Sequence, residues 1–102
     1  MMLTSAGILE SGAMHRRIIH FDGRVQGIGF RYTTQNIAMR YNVFGYVRNL
    51  DDGRVELLLE GDDREMDGVV HSLRQKMNNY IRSIDSETYP ATGEFEGFGI
   101  RH

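Results

Sequence analysis

Cysteine is absent from the 102 residues, which excludes disulfides, thiol catalysis, cysteine-ligated zinc and iron–sulfur clusters. The lack suits a reducing compartment, and a cytoplasmic location is expected. No apolar run approaches the length of a membrane span, so no membrane partner is expected. Neither charge sign dominates: 12 Lys and Arg against 14 Asp and Glu give a formal net charge of −2. Domains held on nucleic acid by phosphate electrostatics usually carry a basic excess, so no nucleic-acid partner is expected. A local cationic pocket for one small anion stays open, because net charge says nothing about distribution. Metal-binding patterns are missing too. His15, His20, His71 and His102 form no i, i+4 pair and no H-E-x-x-H, so neither a metal nor another cofactor is expected. No serine sits in a G-x-S-x-G elbow, which argues against a nucleophilic triad.

What is present describes one soluble domain. Apolar residues make up 40% and charged residues 25%, ordinary for a globular chain of this length, and a monomer is expected. Residues 1–15 are small, polar and aperiodic, without the features of a secretory signal, and read as a leader outside the domain of residues 16–102. Arg16–Gly23 is β-prone and stops at glycine. Phe30, Thr34, Ile37, Ala38 and Tyr41 recur at helical spacing, with Asn42 as the stop. Val43–Asn49 and Arg54–Gly61 read as strands joined through Asp51-Asp52-Gly53, a short-hairpin signal. In the second of them Val55, Leu57 and Leu59 alternate with Glu56 and Glu60. Asp62–Met77 is a second helix with a stripe of Met66, Val69, Val70, Leu73 and Met77. Asp62 and Glu65 resemble a capping box. Ser83–Tyr89, stopped by Pro90, and Phe95–Arg101 complete the chain. The order predicts an α+β, ferredoxin-like split βαβ sandwich: an antiparallel sheet with two helices on one face. That fold hosts enzymes, RNA binders and regulatory domains, so it does not settle function.

Chemistry concentrates in Gly23-Arg24-Val25-Gln26-Gly27-Ile28-Gly29-Phe30-Arg31, between the first strand and first helix. Glycines let successive backbone amides converge on one anion, and the helix adds its positive end. Arg31 offers a planar fork of donors suited to phosphate oxygens. Neither G-x-G-x-x-G nor G-x-x-x-x-G-K-[ST] fits the segment. Taken alone, the loop could equally be a connection with no ligand.

G-R-V-Q-G-I-G-F-R resembles the acylphosphatase signature G-x-V-Q-G-V-x-F-R, with Ile28 in place of the commoner valine. Gly45-Tyr46-Val47-Arg48-Asn49, then Gly53, Val55 and Gly61, resembles the second signature of that family. The resemblance covers about residues 16–101 and is loose from Asn78 to Thr92. It implies a metal-independent acid-anhydride hydrolase acting on small acyl phosphates. It implies that the amides of Arg24, Val25, Gln26, Gly27, Ile28, Gly29 and Phe30 cradle a phosphoryl group. Arg31 would clamp the phosphoryl oxygens and Asn49 would orient the attacking water.

The remaining residues have plainer readings. Asn49 alone reads more readily as a strand-end turn residue than as a catalytic one. Gln26 suits either ligand contact or a hydrogen bond within the loop. Arg24 and Arg48 read as solvated charges, while Phe44 and Tyr46 are expected on opposite strand faces, one in the core and one at the pocket. The end of the last strand is a candidate support for Arg31. Three other readings compete with the enzyme: a non-catalytic anion-binding module, an RNA-recognition module using Phe44-Gly45-Tyr46-Val47, and a regulatory domain that binds amino acids.

Overall fold

The computed structural model describes residues 14–102. The expected leader therefore lies outside the described residues, apart from Met14 and His15. Seven elements follow in order: β1 (His15–Gly23), α1 (Phe30–Ala38), β2 (Phe44–Asn49), β3 (Val55–Gly61), α2 (Asp63–Met77), β4 (Ile81–Pro90) and β5 (Phe98–Arg101). Both helices pack on one face of a single five-stranded sheet of order β4-β1-β3-β2-β5. The α+β sandwich is as expected, with one correction. The sheet is mixed, because β5 runs parallel to β2, from Gly45 opposite Phe98 to Arg48 opposite Arg101. Chain reach explains the direction. Crossing from one sheet edge to the other takes four strand spacings, about 19 Å, and residues 91–97 extend about 24 Å at most. They can cross one end of the sheet but cannot also travel its length, so β5 starts beside the start of β2.

β3 is central and buried at every residue. Val55, Leu57 and Leu59 face the helices and meet Ile19, Phe21 and Val47 of the neighbouring strands. Phe30, Ile37 and Ala38 of α1 and Met66, Val69, Leu73 and Met77 of α2 close the core over them. Val55 pairs with Phe21 on one side and Asn49 on the other. The ends of β1 and β2 are thereby fixed at the same level of the sheet.

Helix α1 stops at Ala38, not at Tyr41 as the spacing suggests. Tyr41 leaves the helix and lays its ring on Gly68 of α2, where an added Cβ would come within 2.3 Å of the ring. Its hydroxyl stands 3.2 Å from Ser72 Oγ. The helix-breaking glycine therefore has a packing cause.

The strand alternation sends Glu56 and Glu60 away from the core, yet both are buried, with only 3% of Glu60 exposed. Residues 91–97 roof this helix-free face. Glu60 Oε2 accepts from Arg16 Nε at 2.7 Å and from the Thr92 amide at 2.9 Å. Its Oε1 accepts from the Gly93 amide at 2.9 Å. Glu56 accepts from Tyr46, at 2.9 Å, and from Arg48, at 2.7 Å, with His20 Nε2 at 2.9 Å. Phe44 and Tyr46 were expected on opposite faces; the two-residue period of a strand puts both on this face. Tyr46 sits under Phe95, ring centroids 6.0 Å apart, with the Arg101 guanidinium 4.1 Å from its own centroid.

Burial alone would raise the Glu60 carboxyl pKa, but the Thr92 and Gly93 amides, Arg16 and the Thr92 hydroxyl outweigh it and hold the value at about 2. A depressed folded-state pKa gives stability that is present above the unfolded value and lost as pH falls through the folded one. Glu60 should thus contribute about 3 kcal/mol at neutral pH, lost between pH 4.5 and about 2. Urea unfolding of Glu60→Gln at pH 7 and pH 2 checks this. The variant should be weaker than the parent at pH 7 and much closer to it at pH 2. An equal gap at both values would contradict the ledger. For Gly68→Ala, the helix-propensity gain of about 1 kcal/mol opposes an overpacking cost of roughly 1–3 kcal/mol. A lowered melting temperature is expected, and a raised one would show that the Tyr41 ring moves aside freely.

Candidate active site

The two helices begin differently. Helix α2 starts with Asp62 as N-cap, accepting from the Glu65 amide at 2.9 Å, and carries Asp63 and Glu65 in its first turn. Those carboxylates complement the positive end of the helix dipole. Only half of the expected capping box forms, because the Glu65 side chain accepts from the Asn42 amide at 2.7 Å instead. Helix α1 has no side-chain cap and no acidic residue in its first turn. Arg31 stands there, a cation where the dipole disfavours one. An anion at this point would satisfy the helix amides and the guanidinium together.

The loop before α1 makes its own demands on the backbone. Gly27 and Gly29 both have φ of +80°, a region that side chains other than glycine rarely occupy. An added Cβ at either would meet nothing within 4 Å, so backbone conformation and not crowding demands glycine. Val25 is fully buried and anchors the loop on the core. No protein acceptor among the described residues takes the amides of residues 25–29.

Val25, Gly27, Gly29, Phe30, Arg31, Tyr32, Asn49, Ile100 and His102 line a cleft of about 160 Å³. Arg31 and Asn49, eighteen positions apart in sequence, thus share one wall system. Register accounts for the meeting: Asn49 lies across β3 from Phe21, just before the loop leaves β1. The lining includes a guanidinium and an imidazole but no Asp or Glu side chain. His102 Nδ1 stands 3.5 Å from Arg31 Nη1, which puts the end of the last strand beside the arginine.

One amide of the expected cradle is engaged elsewhere, and two side chains beside it face away from the cleft. The Arg24 amide donates to Tyr80 O at 2.9 Å, so it points to the start of β4 and is withdrawn from the cradle. Gln26 turns its side chain from the cleft to the β2–β3 turn, its Nε2 donating to Leu50 O at 2.8 Å and Arg54 O at 2.9 Å. Ile28 is exposed and does not line the cleft. Sequence reasoning gave Tyr32 no role here, and it offered the end of the last strand as a support for Arg31 without naming Ile100 or His102. For Ile100 and His102 the missing information was the parallel β2–β5 pairing, which no local pattern announces. Among the described residues, no group of three or more His, Asp or Glu stands close enough to hold a metal ion. No helix among them is long and apolar enough to cross a membrane.

Comparison with known proteins agrees with this architecture. The acylphosphatase family profile matches residues 17–100. The acylphosphatase of Syntrophus aciditrophicus is 40% identical over 90 residues, spanning 85% of this chain and 92% of its own. That of Rubrobacter xylanophilus is 37% identical over 95 residues, spanning 91% and 86%. The crystal structure of acylphosphatase from Bacillus subtilis superposes with a TM-score of 0.76 at 34% identity, over 87% of this chain and 99% of that one. T. kodakarensis HypF superposes with a TM-score of 0.71 at 32% identity, over 88% of this chain and 12% of that much longer one. The fold and the cleft define a small α+β hydrolase-type domain with an anion-ready loop. The chain belongs to the acylphosphatase family and is an enzyme of that family.

Titration with inorganic phosphate, followed by amide NMR, tests the loop geometry. The amides of residues 25–32 should move, while that of Arg24, already engaged by Tyr80, should stay. A uniform absence of shifts would refute an anion site at this helix end.

Proposed function

We propose that the protein hydrolyses the carboxyl-phosphate bond of small acyl phosphates, with Arg31 and Asn49 as its working side chains and without a metal. The observation that carries this reading is the uncapped, cationic start of α1 opening into a cleft that is lined by no Asp or Glu side chain and shared with Asn49. The loop amides and Arg31 hold the phosphoryl oxygens by charge-assisted hydrogen bonds. The Asn49 carboxamide accepts from the attacking water and aims a lone pair at phosphorus. The water oxygen bonds to phosphorus as the bond to the acyl oxygen breaks, and the carboxylate leaves with the electron pair. The water proton passes to the products or solvent.

So sparse a site is sufficient chemically. The leaving carboxylate has a conjugate acid of pKa about 4, and no general acid has to assist its departure. Phosphoryl transfer places charge on the equatorial oxygens and asks little of a base. Positioning and oxyanion stabilisation are then the main terms. The RNA-binding alternative is disfavoured by the covering of Tyr46, since a stacking platform needs an open ring face. The cysteine-free composition accords with a cytoplasmic location, and the reading is of a monomer that acts on a diffusible substrate.

Benzoyl phosphate hydrolysis in excess chelator is the direct test, and full activity is expected. Arg31→Ala and Asn49→Ala should each remain folded and lose roughly 10²–10³ in rate. Phosphate binding without turnover in the parent would favour an anion-binding module, and near-parental rates in both variants would refute the roles assigned.

A further inference from the structure

Gln26 does not line the cleft, yet it ties the loop on one side of it to the turn that follows Asn49 on the other. Its carboxamide nitrogen donates to Leu50 O at 2.8 Å and to Arg54 O at 2.9 Å. Those two carbonyls close the neck of the β2–β3 turn, where the Leu50 amide donates to Arg54 O at 2.8 Å and the Gly53 amide to Leu50 O at 3.2 Å. Each carbonyl thus has a backbone partner already, and Gln26 takes a second lone pair on each. Removing the side chain leaves the turn closed and strands no buried acceptor. Buried Val25 still seats the loop on the core. What would be lost is the fixed distance between the loop and the strand end at Asn49, the residue before Leu50.

We propose that Gln26 is a positioning residue: a cross-brace that holds the phosphate-binding loop in register with Asn49, so that water and phosphorus meet in line. The proposal rests on the functional reading given above. It separates two properties of one loop. Anion binding belongs to the amides and Arg31, which survive without the brace; alignment with Asn49 does not. A displacement of about 1 Å at a reacting centre can cost about 10² in rate.

The test uses Gln26→Met, which keeps length and bulk but removes both donors, and Gln26→Glu, which sets oxygens against the two carbonyls. Turnover of benzoyl phosphate, inhibition by inorganic phosphate and melting temperature are measured for each. For Gln26→Met, kcat should fall roughly 10- to 100-fold, with phosphate inhibition within about threefold of the parent. Gln26→Glu should fall at least as far. In the double variant with Asn49→Ala, the Gln26→Met loss should largely vanish, because two residues acting through one alignment are not additive. A merely structural role predicts multiplying losses that track melting temperature.

A readout without turnover is the Asn49 side-chain amide resonance. It should shift when phosphate saturates the parent, and shift less in Gln26→Met at equal saturation. Parental kcat in Gln26→Met, multiplicative losses, or an unchanged Asn49 response would each overturn the brace while leaving the enzyme reading intact. A parent that neither turns over benzoyl phosphate nor binds phosphate would overturn both.

Discussion

The site depends on one constraint, the pairing of β3 with β1 on one side and β2 on the other. Val55 is the shared partner of Phe21 and Asn49, so the two strand ends stop level with each other, about 10 Å apart. A loop that leaves β1 there has to pass the end of β2 before α1 begins. The apolar face of β3 makes this arrangement costly to shift, because a one-residue slip would turn Val55, Leu57 and Leu59 out of the core. Packing at the centre thus fixes the geometry of a cleft at the rim.

The two helix starts show how charge is divided between stability and function. In α2, acidic residues meet the helix dipole and a capping carboxylate occupies a free amide. In α1 the corresponding places hold Gly29, Phe30 and Tyr32, so that Arg31, which stands where α2 has Arg64, has no carboxylate beside it in the first turn. The result is a locally unfavourable helix end that becomes favourable when an anion arrives. On the proposed reading, such a site would hold phosphate through fixed dipoles and a guanidinium with little rearrangement.

The helix-free face serves the cleft indirectly. Glu60 fastens residues 92 and 93 to the sheet, and the chain then enters β5 in the direction that brings Ile100 and His102 to the cleft. Glu56 gathers Tyr46, Arg48 and His20 on the same face. Its carboxyl is held below the usual range despite burial, by bonds from His20, Arg48 and Tyr46. Carboxylates that read as solvent-facing in a strand are here the fasteners of a roof.

Much of the fold was legible in the residues because it is set locally. Alternation in β3, the stripe of α2, the Asp51–Gly53 turn and the glycine spacing before α1 each report on neighbours a few positions away. The two signatures likewise exposed Arg31 and Asn49 as candidates before any geometry was known. Three matters were settled only by tertiary structure, each for a non-local reason. The direction of β5 follows from the reach of residues 91–97 across the sheet. The withdrawal of the Arg24 amide follows from its pairing with Tyr80, more than fifty positions away. The hydrogen bonds of the Gln26 side chain follow from which carbonyls the folded hairpin presents to it. Local chemistry chose the loop's glycines and Arg31, and long-range pairing decided which residues line the cleft beside them.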